Sequence, residues 1–454
     1  MLSALIPSRL SYSAVLLAEQ PMHQGSVQHG PLVLVSDLRK FPAPTTDRDR
    51  TVSRRSEPSS RATLMGEQPN PWDLLQPQDV TSRHRGAKPL RRYELLGGIS
   101  LLSPEYLLSF IEQFQQLLPT NEFCSIPDNN IQENKSFSYT IFTPKGSRKT
   151  NQAILLLHGL NERNWDKYLT WAEYLSLATG KAVILFPIAF HMNRTPGNWY
   201  NPRTLMPWVA RRKQEVEHLD NSTFVNVALS YRLSDTPLRF YISGKESMFN
   251  LWQLFREIKT GQHPLFEKDS SINIFAYSIG AFLSQILMLA NPEHLLDDSK
   301  LFLFCGGSIF SQMDGSARDI MDQEAYRRVK NYFLNDFLTK NDEHRMLPVL
   351  YEEDFMEKAF KAMIRPEVMK NYRESFFERI QDRLRIVTLK KDTVMPTQGV
   401  IEALGPKCVD TILEELDFPY EYSHQNPFPT NTGATPEMLY QSFTGIFNKV
   451  ANFL

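Results

Sequence analysis

The segment Ala276-Tyr277-Ser278-Ile279-Gly280 joins an apolar run to a helical pattern and places a hydroxyl group at the junction. A serine on so sharp a strand-to-helix turn is presented as a nucleophile, and the turn closes only when the residues two positions before and after it are small. Ala276 and Gly280 meet that need, although Gly is more usual than Ala at the first position. The motif predicts a nucleophile at Ser278. A serine that merely caps the helix is the alternative interpretation.

A second motif, His158-Gly159-Leu160, follows the apolar run AILLL and precedes Ser278 by 120 residues (278 minus 158). The loop after such a strand supplies a backbone N–H to the oxyanion of an acyl-transfer reaction, and the residue after the nucleophile supplies another. We therefore expect the N–H groups of Leu160 and Ile279 to form an oxyanion hole. His158 would then be structural, as a buried histidine after a strand often is.

A serine hydroxyl is a weak nucleophile at neutral pH, so it needs a base, and the base needs an acid that orients it. Asp392 follows the apolar run LRIVTL, and His424, the last histidine of the chain, lies 32 residues further on (424 minus 392). The order Ser, Asp, His is the one this chemistry shows on a strand-turn-helix nucleophile. Ser278, Asp392 and His424 are the predicted triad. Three other acidic residues stay open for the orienting role: Glu414, Glu415 and Asp417.

Polar residues also follow the apolar run AVILF, where ligands bind at the edge of parallel sheets. His191 and Arg194 in this loop are candidate contacts for a polar or anionic part of a substrate. A loop held together by its own hydrogen bonds is the alternative interpretation.

The elements that must position these residues are short apolar strands alternating with helical stretches. Strands are predicted at 136–142, 153–157, 182–186, 272–277, 301–304 and 384–389, and helices at 104–118, 165–177 and 281–290. Such alternation is typical of crossover units and a parallel sheet. The fold class is therefore α/β.

Three segments lack this alternation of strands and helices. Residues 1–90 are rich in Pro, Ser and Arg without periodicity, which predicts disorder, and the globular domain is placed at 91–454. Insertions are predicted at 187–271 and 311–383, the second as a helical cap. Aromatic residues of the second insertion either line an acyl pocket or form core: Tyr326, Tyr332, Phe333, Phe337, Phe355 and Phe360.

Composition excludes several classes of function. The chain has 50 basic and 51 acidic residues, without the basic surface that a nucleic-acid binder needs. Cys124, Cys305 and Cys408 are far apart, so neither a disulfide framework nor a zinc site is expected, and no phosphate-binding loop indicates a nucleotide cofactor. We expect no cofactor, no metal and no membrane span. A cytoplasmic location is expected, although an apolar stretch at 1–18 leaves secretion or organelle targeting open.

From about residue 95 to its end, the sequence resembles the α/β-hydrolase superfamily, most of all its serine esterases and lipase-like members. The resemblance rests on LLLHGL, AYSIGA, LKKDTVMP and the final His424, in that order. It implies an α/β-hydrolase fold, with a mostly parallel sheet flanked by helices, and a small ester or acyl substrate cleaved through a covalent acyl-serine. A peptidase, a thioesterase, a non-catalytic binding protein of this fold and a scaffold protein stay open as alternatives.

Overall fold

The computed structural model of the protein describes residues 91–96, 128–143, 149–339, 355–430 and 433–454. The side chains of 91–96 are not part of this description. The predicted disorder of 1–90 and the predicted helix at 104–118 lie outside the described residues.

Eight strands form one sheet in the spatial order 1-2-4-3-5-6-7-8. The strands are β1 (Arg91–Leu96), β2 (Ser136–Phe142), β3 (Thr150–Leu157), β4 (Ala182–Phe186), β5 (Phe266–Tyr277), β6 (Leu301–Phe304), β7 (Leu384–Leu389) and β8 (Leu413–Leu416). β2 is antiparallel to both of its neighbours, and every pairing from β4 to β8 is parallel. This is the α/β-hydrolase fold that the sequence predicts.

Helices connect the strands and cover both faces of the sheet. They are α1 (Gln132–Lys135), α2 (Asp166–Thr179), α3 (Pro202–Glu215), α4 (Val227–Asp235), α5 (Arg239–Lys259), α6 (Ile279–Ala290), α7 (Gln323–Asn331), a π-helical turn (Tyr332–Asp336), α8 (Phe337–Thr339), α9 (Phe355–Ala362), α10 (Lys370–Arg379), α11 (Thr397–Leu404), α12 (Val409–Ile412) and α13 (Pro436–Phe453). No helix among these described residues is long and apolar enough to cross a membrane.

The predicted strands at 136–142, 182–186, 301–304 and 384–389 have the observed bounds, whereas β3 and β5 begin earlier than predicted. Every residue of β4 and β6 is buried, as in strands covered on both faces. In β5 the side chains alternate: Ile274 and Ala276 belong to the core layer that includes α5 and α6, and Phe275 and Tyr277 to the layer that includes α2 and α13.

The two insertions are mainly helical and contact each other above the sheet. Arg212 of α3, in the first insertion, donates two hydrogen bonds to Asp322 in the second, at 2.7 and 2.9 Å. Asp322 also caps α7 by accepting from the Ala325 N–H. The Asn161 side chain donates to the carbonyl groups of Val225 and Asp319, one in each insertion. The two insertions therefore contact each other, and the helical cap that the sequence assigned to the second stays a prediction.

Candidate active site

Ser278 lies between β5 and α6 in a backbone conformation that non-glycine residues rarely adopt, with φ +57° and ψ −124°. Such a conformation costs about 1–3 kcal/mol and persists only where its surroundings enforce it. Gly280 is part of that enforcement: a Cβ on Gly280 would lie 2.7 Å from the His158 carbonyl oxygen, and its N–H donates to that oxygen at 3.1 Å. The close approach explains why the motif needs glycine after the serine.

Two short hydrogen bonds connect Ser278, His424 and Asp392. The Ser278 Oγ lies 2.6 Å from His424 Nε2, and His424 Nδ1 lies 2.7 Å from Asp392 Oδ2. The other carboxylate oxygen of Asp392 accepts from the N–H groups of Val394 and Met395, each at 2.9 Å. A neutral imidazole in this network carries its proton on Nδ1, so Nε2 is left to accept the proton of the serine. All three side chains are buried.

The rival acids do not contact His424. Glu414 pairs with Lys449 at 3.0 Å on the edge strand β8, where Glu415 is exposed. Asp417 accepts a hydrogen bond from the Tyr422 hydroxyl at 2.9 Å. Among the four acids considered from the sequence, the structure brings Asp392 to the histidine.

The loop that carries His424 is held by residues that the sequence analysis missed. The ring of Tyr277 stacks on the imidazole, with centroids 5.6 Å apart, and its hydroxyl donates to the His424 carbonyl oxygen. Lys167 donates to the carbonyl oxygen of Gln425 at 3.1 Å and lies 4.7 Å above the Tyr277 ring. Tyr277 belongs to the motif around the nucleophile, but nothing in the sequence pairs it with a loop 147 residues away.

The predicted oxyanion loop lies directly against the nucleophile. A Cβ on Gly159 would be 3.4 Å from the Ser278 Cβ. The Gly159 N–H donates to the Tyr168 hydroxyl at 2.9 Å, which fixes the loop. Within the part of the chain that the structure describes, the N–H groups of Leu160 and Ile279 have no hydrogen-bond partner. An oxyanion hole formed by these two N–H groups stays a prediction.

His158 is buried beneath this loop. Its Nε2 accepts from the Ile188 N–H at 2.9 Å, and its Nδ1 lies 2.8 Å from the Gly159 carbonyl oxygen. Burial, together with the neighbouring His191, holds the pKa of His158 well below its ordinary value. A neutral ring with both nitrogens occupied connects the ends of β3 and β4, and a structural role for His158 stays a prediction.

Arg194 does not serve as a substrate contact, which corrects the hypothesis drawn from its loop. Its side chain is fully buried and donates to Asn134, Glu246, Asn250 and the Pro187 carbonyl oxygen, at 2.9–3.1 Å. Burial lowers the pKa of Arg194 to about 10, and the Glu246 carboxylate opposes that shift. The guanidinium forms its hydrogen bonds and its ion pair within the protein, because a charge buried this deeply must be paired.

An apolar cavity open to solvent lies next to Leu160 and Ile279, and its space together with the solvent at its mouth measures about 830 Å³. Leu160 and Ile279, the residues with the unpaired N–H groups, are part of its wall, and so is His191. The first insertion supplies more of the wall than the second, which contributes Met356 and Phe360.

Of the six aromatic residues considered for an acyl pocket, Phe360 lies in this wall. Phe333 is fully buried in a cluster of rings and belongs to the core, which settles its role in favour of the structural alternative.

The sequence matches the model of a family of unknown function, DUF6051, over residues 95–454. The chain belongs to this family. No curated protein matches the sequence. The fold can therefore be compared only with more distant structures.

Solved structures with similar architecture include a variant of the esterase rPPE, with 10% identity and a TM-score of 0.37, covering 78% of this chain and 91% of that one. Carboxyl esterase 2 from the mycorrhizal fungus Tuber melanosporum has 12% identity and a TM-score of 0.36, covering 70% and 84%. Acetyl xylan esterase 1 from a Thermoanaerobacterium species has 15% identity and a TM-score of 0.34, covering 70% and 79%. Similarity at this level does not carry an activity from one protein to another.

Proposed function

We propose that this protein is a serine hydrolase that cleaves an ester or related acyl bond through a covalent acyl-enzyme. The proposal rests on the two hydrogen bonds that run from Ser278 through His424 to Asp392, at 2.6 and 2.7 Å. A base within this distance of a hydroxyl, itself oriented by a carboxylate, is the arrangement that activates serine.

In the proposed reaction, Ser278 Oγ attacks the substrate carbonyl carbon while His424 Nε2 takes the hydroxyl proton. The negative charge that develops on the carbonyl oxygen is stabilised by the N–H groups of Leu160 and Ile279. Asp392 stabilises the imidazolium. Collapse of the tetrahedral intermediate breaks the ester bond, and His424 returns the proton to the leaving alcohol. Water, deprotonated by His424, then releases the acid from the acyl-serine.

The strained backbone at Ser278 favours catalysis over the alternative of a binding protein. A protein that used the cavity for recognition alone would gain nothing from a conformation that costs about 1–3 kcal/mol, since a serine could cap α6 with ordinary backbone angles. Strain of this kind persists where it presents a reacting group. Peptidase and thioesterase chemistry share the same machinery, and the apolar cavity favours an acyl ester.

Hydrolysis of nitrophenyl acetate, butyrate and octanoate by the purified full chain tests the proposal. We expect turnover by the wild type and a loss of at least a thousandfold in Ser278→Ala, with an unchanged melting temperature. Ser423→Ala is the matched control, because that hydroxyl lies in the same loop as His424 but outside the triad, and it should keep most of the activity. Hydrolysis that is equal in wild type and Ser278→Ala would rule out the proposed nucleophile.

A further inference from the structure

The apolar cavity runs along α6, the helix that begins immediately after the nucleophile. Ile279, Phe282 and Ile286 line it from positions three and four residues apart, on one face of the helix. From Ile279 to Ile286 the helix rises about 10 Å. That length matches an extended chain of roughly eight carbons at ordinary C–C bond lengths. The cavity therefore has the length and the lining of a site for a medium-length acyl chain.

His191 brings a buried polar atom to the cavity wall. His191 is 5% exposed, and its Nδ1 lies 2.9 Å from the Ala189 carbonyl oxygen, to which a ring N–H donates. Burial lowers the pKa of His191 to about 4, so the ring is neutral and its Nε2 is an acceptor. Among the described residues this buried Nε2 has no hydrogen-bond partner. A hydrogen-bond donor on a ligand would stabilise this acceptor, because a buried acceptor without a partner is unfavourable.

His191 lies close to the loop that follows β3. Its ring lies 5.4 Å from that of His158, which directly precedes the predicted oxyanion loop. A ligand group that reaches His191 is therefore near the loop that carries Leu160.

Several other polar groups of the wall are already bonded within the protein. The Ser243 hydroxyl donates to the Ala189 carbonyl oxygen at 2.9 Å. Arg232 pairs with Asp128 at 2.6 Å, and Arg239 pairs with Asp235 at 3.1 Å. Ser243, Arg232 and Arg239 could select a ligand only by breaking these bonds, whereas His191 Nε2 has no such bond to break among the described residues.

We propose that the cavity binds an acyl chain of about eight carbons that carries a hydrogen-bond donor close to the scissile carbonyl, and that His191 Nε2 accepts this hydrogen bond. The donor is a hydroxyl, as in a 3-hydroxyacyl ester, or an amide N–H, as in an N-acylglycine ester. The proposal rests on the proposed hydrolase function, since it places the same carbonyl in the oxyanion hole.

The kinetic test compares nitrophenyl octanoate with the esters of 3-hydroxyoctanoate and N-hexanoylglycine. Wild type should prefer at least one donor-bearing ester over octanoate by up to about tenfold in kcat/KM, the effect of one buried hydrogen bond. His191→Phe keeps a ring but removes the acceptor, so this ratio should fall to about one. Ser243→Ala is the control within the wall and should keep the ratio, because its hydroxyl is bonded to the protein.

Binding to Ser278→Ala separates this proposal from the proposed function. Calorimetry with the methyl esters of the same three acids needs no turnover, and melting curves verify that each variant is folded. We expect tighter binding of a donor-bearing ester, with the preference lost in the double variant Ser278→Ala/His191→Phe and partly kept in Ser278→Ala/His191→Gln.

The result for each ester identifies the donor. Preference for 3-hydroxyoctanoate alone supports the hydroxyl, and preference for N-hexanoylglycine alone supports the amide. Equal binding of all three esters, or a preference that survives His191→Phe, would overturn the proposal even if the protein hydrolyses esters. Failure of any of the esters to bind would overturn it as well. Absence of hydrolysis together with the expected binding would leave the acceptor role of His191 standing and reject the hydrolase.

Discussion

Two clusters of buried polar side chains include residues that follow β5 and β4, which β3 separates in the sheet, and the clusters differ in which of their polar groups have hydrogen-bond partners. Ser278, His424 and Asp392 form one cluster. The other joins Arg194 and Glu246 with two asparagine side chains. In the second cluster the guanidinium and the carboxylate are bonded within the protein. In the first, a strained backbone carries the hydroxyl, and the N–H groups of Leu160 and Ile279 have no partner among the described residues. Burial and charge are common to both, so neither property by itself identifies a reactive site.

The two clusters should also differ in how substitution changes the stability of the protein. Removing one partner of a buried ion pair costs about 3–5 kcal/mol of stability, because the other charge is left uncompensated. Relieving strain at a functional residue stabilises a protein or leaves it unchanged. The Arg194 cluster should therefore respond to substitution through stability, and the Ser278 cluster through activity. Two substitutions test that division, and a pH series tests the neutral state of His191.

Asp392→Asn should lower kcat by about ten-thousandfold while leaving the fold intact. The amide would keep an oxygen for the N–H groups of Val394 and Met395, but its NH₂ would favour the wrong tautomer of His424. Steady-state kinetics and a melting curve measure the two effects. Asp417→Asn is the matched control, because Asp417 contacts Tyr422 and not the histidine. Activity within tenfold of wild type in Asp392→Asn would remove this carboxylate from the proposed triad.

Arg194→Met should lower the free energy of unfolding by about 3–5 kcal/mol, because it leaves Glu246 buried without its cation. Urea denaturation measures the loss. The double variant Arg194→Met/Glu246→Leu should recover part of it, since no isolated charge remains. The folded fraction of either variant should keep the activity of wild type. Unchanged stability with a large loss of turnover would instead make Arg194 part of the reactive cluster.

Acidification should destabilise the protein through His191. Its pKa is 6.5 ordinarily and about 4 in the fold, so between these values the unfolded chain binds a proton that the native state does not. The stability present above pH 6.5 is therefore lost as the pH falls towards 4, by an amount on the order of 3 kcal/mol. Denaturation at several pH values measures the slope. His191→Phe should make the slope shallower, and an identical slope in that variant would show that His191 is charged in the fold.

Most strands of the sheet could be predicted from the sequence, because buried parallel strands have continuous runs of apolar residues. Leu413–Leu416 escaped prediction because its two central residues are exposed glutamates on an edge strand, without an apolar run. The contact between the two insertions could not be predicted from the sequence either. It depends on contacts such as that between Arg212 and Asp322, which are 110 residues apart in sequence.

Contacts between side chains also limit what the sequence can predict about the candidate site. Residue type and order were enough to single out Ser278, Asp392 and His424, because the chemistry constrains both. They could not distinguish His191 from Arg194, two polar residues in one loop, since the difference is what each side chain contacts. Arg194 pairs with a carboxylate from α5, whereas Nε2 of His191, a residue of the cavity wall, has no hydrogen-bond partner among the described residues.

Labelling with a fluorophosphonate, read by intact-protein mass spectrometry, tests the central claim most directly, because the reagent reports an activated serine rather than an exposed one. The proposed function predicts one adduct on the wild type, located on the peptide that contains Ser278, and none on Ser278→Ala or His424→Ala. Folded Arg194→Met should be labelled as fast as wild type. A wild type that takes up no label, or an adduct that persists in Ser278→Ala, would contradict the assignment of Ser278 as the nucleophile.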